Sequence, residues 1–198
     1  MGYDPQGLID WGGVFVGLGL AALAVGAIAL TVVTAGAASP LAASAIVTVG
    51  TVASATLAEA SVVTTYGAVV EEPVVYDVTV TGGNDRVGAS LVYDFGANTS
   101  DFYLHTGVQS QDSFGLTFGS GFVYNYNKPG DYGGEFIDVS MSGEYNKASL
   151  GIDYCTDPKN ITNGYKNCHA LLLTSGWSVS AFDSNPFVYS YDYYWSTN

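Results

Sequence analysis

Hydrophobic and polar positions divide this chain into two unlike parts. Between Asp10 and Glu59 lie 48 residues without a single charge, almost all Ala, Gly, Val, Leu, Ile, Thr and Ser. A bilayer core of about 30 Å takes about 20 apolar residues as a helix. Trp11 to Thr34 supplies 24 and Leu41 to Ala58 supplies 18, with Gly36 and Ser39-Pro40 between them as helix-breaking chemistry. The pattern predicts a hydrophobic, membrane-active helical hairpin over 11–62. Gly13 and Gly17, then Ala22 and Gly26, recur at the four-residue spacing that lets helix backbones approach closely in lipid. Thr31, Thr34, Thr48, Thr51 and Thr56 weaken the spans, which suits conditional insertion. The other reading is a water-soluble helical pair buried against the rest of the chain.

At Glu71-Glu72-Pro73 the pattern changes to period two, the signature of strands with two different faces. Val74, Tyr76, Val78 and Val80 alternate with Asp77 and Thr79. Leu150, Ile152 and Tyr154 alternate with Gly151 and Asp153, and Tyr189, Tyr191, Tyr193 and Trp195 with Ser190 and Asp192. Turn residues between such runs mark about eight strands, near 74–81, 88–95, 101–109, 113–126, 135–145, 148–155, 168–181 and 186–195. The expected fold is α+β in two parts: the helical hairpin, then an all-β antiparallel barrel or sandwich over 73–198. Alternating polarity with an aromatic last strand also resembles transmembrane β-barrels. Against that stand the lack of a positively charged export signal at the start and a hydrophobic hairpin that would stall export.

Charge changes the picture by exclusion. Eighteen acids against five bases give a net charge of −13, which argues against a nucleic-acid partner, since phosphate binding needs clustered Lys and Arg. Cys155 and Cys168 bracket a loop of twelve residues, and the flanking strands are expected to be antiparallel neighbours joined by a disulfide. His105, His169 and Asp153 are the weak catalytic candidates, with His105 expected to be a half-exposed strand residue. No metal spacing is recognisable and no cofactor is implied.

The opening Tyr3-Asp4-Pro5-Gln6-Gly7-Leu8 resembles the motif that closes the Rhs/YD-repeat core of bacterial polymorphic toxins. Asp4, Pro5, Gly7 and Leu8 fill its fixed positions, making 1–10 a border remnant. The resemblance implies processing near Leu8, and it implies that the chain beyond Leu8 is the variable toxin tip, secreted or membrane-associated. It also implies a lipid membrane as target and an immunity protein as partner. The repeats that would build the toxin's cage are missing. The expected function is therefore a toxin tip in which the hairpin carries a β-barrel-like effector. The alternative is a membrane-anchored, non-enzymatic β-domain whose tyrosines recognise a ligand or surface.

Overall fold

The computed structural model describes residues 40–145, 148–163, 167–180 and 187–197. The border motif, the first hydrophobic stretch and its small residues Gly13, Gly17, Ala22 and Gly26 lie outside the described residues.

The second hydrophobic stretch forms one helix, α1 (Pro40–Val70), of 31 residues. Pro40, expected to break a helix, opens this one, where its missing N–H is no loss. The helix does not stop at Ala58. It runs through Glu59 and packs along the barrel, with Thr56 Oγ1 2.7 Å from Ser175 Oγ and Thr64 Oγ1 2.5 Å from the Tyr76 hydroxyl. Tyr66 meets Phe122 edge to face at 5.1 Å. Ser54 and Thr64 donate to the carbonyls of Gly50 and Ala60 four residues back, so hydroxyls dilute the apolar surface all along the helix. No helix among the described residues is long and apolar enough to cross a membrane. The expected α+β fold with a membrane-spanning hairpin is thus corrected to a mostly β fold with a helix laid against it.

The helix stops where the sequence changes. Glu72 N–H donates to the Gly67 carbonyl at 3.1 Å, and Glu71 takes a left-handed φ of 58°. Left-handed backbone strains a residue bearing a Cβ by about 1 kcal/mol or more. Glu71→Gly is therefore expected to stabilise the protein by about 1 kcal/mol, read as a higher urea midpoint with unchanged slope.

Six antiparallel strands come next: β1 (Pro73–Asp94), β2 (Thr99–Tyr124), β3 (Gly134–Tyr145), β4 (Ala148–Thr156), β5 (His169–Ser180) and β6 (Phe187–Ser196). A short helix, α2 (Asn160–Asn163), sits between β4 and β5. β1 runs along one edge of β2 for almost its whole length. The other edge of β2 pairs with β6 over 103–109 and with β5 over 113–124. The order β5-β4-β3-β6 completes a closed five-stranded barrel, and β1 extends the sheet along the remaining edge of β2. The expected eight segments are these six strands, because two of the expected turns are bends. Gly82-Gly83-Asn84-Asp85 makes a register shift within β1 instead of a hairpin, with Gly83 at φ 73°.

Candidate functional site

The alternation resolves into an outside and an inside, and the inside is the polar face. Registered partners share a face. Val80, Leu116 and Trp177 lie in one outward row, Met141, Ile152 and Leu173 in another, and Leu104 and Trp195 in a third. All of these are exposed, while Val78, Ile137 and Val139 on the same outer surface are half-buried. Exposure there reaches 60% at Phe114, 55% at Tyr189 and 52% at Leu150. Phe102, Tyr124 and Trp195 stand toward one rim of the barrel, and Phe114, Trp177 and Phe187 toward the other. The charged residues on this outer surface, Asp85, Asp112 and Glu135, lie at strand bends or ends.

The inward face carries the charge. Arg86 of β1 places Nη1 3.3 Å from Asp138 Oδ2 of β3 and 3.1 Å from Asp192 Oδ2 of β6. It also donates to Ser190 Oγ. His105 of β2 is fully buried, with Nε2 3.1 Å from Asp77 Oδ1 and Nδ1 4.0 Å from Asp192 Oδ1. Its ring stacks on Tyr194 at 4.5 Å. Ser90 and Thr79 donate to the two oxygens of Asp77. Asp153 of β4 points into the same interior, and its Oδ1 is buried without a hydrogen-bond partner among the described residues. The same is true of Asp138 Oδ1 and of both carboxylate oxygens of Asp192, which lie 3.1 Å from Arg86 Nη1 and 4.0 Å from His105 Nδ1.

Glycines make the room. A Cβ at Gly88 would collide with the His105 ring and the Val78 carbonyl, and one at Gly107 with the Asp192 carboxylate and the Tyr191 carbonyl. Beyond the cluster, toward one end, the interior turns apolar: Val75, Val92, Tyr103, Val123, Phe136 and Leu172, closed over by Tyr126 and Tyr132 from the 125–133 loop. Burial holds the Tyr132 hydroxyl well above the usual phenol range.

The sequence candidates fall in different places. His105 and Asp153 are brought into one interior. His105 is not half-exposed as expected, because the face opposite Phe102 and Leu104 is the inner one. His169 is on the outside, stacked on Tyr124 at 5.2 Å. β4 and β5 are antiparallel neighbours as expected, but the register sets Cys155 opposite Ala170, two residues past Cys168. Both thiols are buried and free, so the expected disulfide is not formed. Burial pushes the Cys168 thiol up to about 12, which leaves it protonated and unreactive at neutral pH. Among the described residues no group of His, Cys, Asp and Glu has metal-holding geometry.

Sequence reasoning did not single out Arg86, Asp77, Asp138 or Asp192. A usable signal existed. Each lies on the face of its strand opposite the large apolar side chains, a pattern the alternation alone shows.

At the barrel end that the aromatic core closes lies a polar cleft of about 510 Å³, lined by Asn125, Asn127, Asp131, Asp157, Lys159 and Asn167. Asn160 orders its floor, accepting from Asn167 N–H at 2.7 Å and donating to Thr156 Oγ1 at 3.0 Å.

No family model and no curated protein matches the chain. Among solved structures, a β-barrel-like uncharacterized protein from Brucella abortus is similar over 67% of this chain and 86% of its own, at 13% identity and a TM-score of 0.33.

Proposed function

We propose that this chain is the tip of an Rhs-type toxin whose β-barrel enters the target membrane with α1 docked on its outer face. The observation that carries the reading is the distribution of the faces: aromatic and aliphatic side chains cover the outside, while the arginine, the histidine and the aspartates of the cluster are held inside, beside the apolar core at one end. A barrel in water has the opposite arrangement, because an exposed apolar belt gains nothing from burial and invites association. A barrel in lipid needs this one. Strand lengths agree with it. β3, β4, β5 and β6 have 12, 9, 12 and 10 residues. About 9–11 tilted residues cross a bilayer core. The Asp4 to Leu8 motif supports delivery as a toxin tip, and such a tip calls for an immunity protein in the producing cell.

The test uses tryptophan fluorescence. With Trp11→Phe, emission comes from Trp177 and Trp195, which stand near opposite rims of the belt. In vesicles whose acyl chains are brominated, strong quenching with a blue shift is expected. Emission unchanged by brominated lipid overturns the reading.

A second reading, recognition of a polar ligand, is favoured by the cleft alone. Its amides and carboxylates match vicinal hydroxyls. Shifts of the Asn125 and Asn167 side-chain amide resonances on titration with a panel of mono- and disaccharides would support it, and their constancy would remove it.

A further inference from the structure

We propose that insertion into lipid is gated by acid through Glu59, which rests on the reading of the outer face as lipid-facing. Glu59 is the one charged side chain between Asp10 and Glu71, so its ionisation decides whether the helix and the uncharged stretch before it carry any charge at all. It is half-buried between α1 and the outer face of β5, where it hydrogen-bonds Ser175. Ser175 interrupts an otherwise apolar outward row, Leu171, Leu173 and Trp177, and is fully buried under the helix. Its register partners Phe118 and Leu150 are apolar.

Among the described residues no cation compensates Glu59. The titratable groups on the outer faces that α1 packs against are Tyr76 and Tyr93 of β1, Tyr124 of β2, Tyr154 of β4 and His169 of β5. Tyr76 is bonded to Thr64, and His169 stacks on Tyr124 six residues along β5 from Ser175. The only charged groups on those faces among the described residues are Asp85 and Asp112, both acids, at the bend. Tyr66 is the remaining titratable side chain of the helix.

Desolvation by burial pushes the Glu59 carboxyl up to about 7, with the Ser175 hydrogen bond pulling the other way. A carboxyl raised above its free value of 4.5 favours the docked, water-excluded helix most in acid. That preference declines as pH climbs from 4.5 toward 7 and is constant above. An ionised carboxylate is also strongly disfavoured in hydrocarbon. Both effects place insertion on the acid side of neutrality.

The experiment measures partition of the full chain into vesicles of zwitterionic phosphatidylcholine between pH 5.5 and 8.5. The wild-type partition coefficient is expected to fall at least tenfold across that range, with a midpoint near 7. Glu59→Gln is expected to hold the acid value throughout. Ser175→Ala, which keeps the carboxyl but removes the bond that favours its ionised form, is expected to move the midpoint upward. Circular dichroism of each variant in buffer confirms an intact fold. A Glu59→Gln curve that tracks the wild type, or wild-type binding that ignores pH, overturns the gate while leaving the lipid reading standing. Absence of binding by both proteins at every pH overturns the lipid reading, and the gate with it.

Discussion

Replacing Arg86 by methionine is expected to destabilise the barrel by about 3–5 kcal/mol, the range for removing one partner of a buried ion pair. Arg86 is nine-tenths buried, and its guanidinium stands between Asp138 and Asp192, whose side chains are 2% and 0% exposed. Methionine keeps most of the stem's volume but leaves two carboxylates facing each other without the cation between them. Asp153, on the next strand, adds a third negative group to the same interior. The loss is electrostatic, so it should be recoverable. Arg86→Met combined with Asp138→Asn and Asp192→Asn removes the charges together, and buried ion pairs replaced as a unit are often neutral for stability. Equilibrium unfolding in urea, followed by tryptophan emission, reads both proteins. If the single variant unfolds within about 0.5 kcal/mol of the wild type, the range of an ordinary surface substitution, the cluster is not what ties β1, β3 and β6 together. Arg86→Lys tests the geometry separately: the single Nη1 meets both carboxylates, so the variant reads whether a point charge on a shorter stem still reaches them.

This cluster also marks how far the sequence could be read. The alternation along each strand assigns Asp77, Asp153 and Asp192 to the face opposite the tyrosines and leucines, and the structure keeps them there. Period two distinguishes two faces but carries no label for inside and outside. That label comes from curvature, and curvature is set where small residues let backbones and charged groups crowd together, as at Gly88 and Gly107. The turn at 82–85 was legible as a break in the pattern, yet a bulge and a hairpin turn draw on the same residues, so 74–81 and 88–95 stood for the one strand β1, as 101–109 and 113–126 did for β2. At the cysteines, strand adjacency was legible from the loop. Register was not, because a twelve-residue loop containing a helical turn lets the strands slide by the two residues that separate Cys168 from Ala170. The membrane hairpin failed for another reason: freedom from charge is not the same as apolarity. Hydroxyls recur along α1, and the helix finds its partner in Tyr76, Phe122 and Ser175 of the barrel.

Ile152→Arg is expected to behave oppositely in water and in lipid, and the contrast is sharper than either measurement alone. Ile152 sits mid-strand on β4, 43% exposed, with Met141 and Leu173 as its register partners and Leu150 and Tyr154 on either side along the same face. No acid on that face of β4 would pair with an introduced guanidinium. In buffer an exposed position of this kind tolerates substitution within about 0.5 kcal/mol. If the belt faces hydrocarbon, an arginine near the bilayer midplane costs about 2–4 kcal/mol. Leu104→Arg, nearer the rim marked by Trp195 and Phe102, should lose less, because penalties fall to about 0–1 kcal/mol toward the interface. The measurement is urea unfolding in phosphatidylcholine vesicles beside the same titration in buffer. A graded loss confined to vesicles, larger at 152 than at 104, is the depth profile of a lipid-facing wall. Equal losses in both media would mean that Ile152 is packed against protein. No loss in either would mean that the belt meets neither, and the inverted barrel would have to be explained without a membrane.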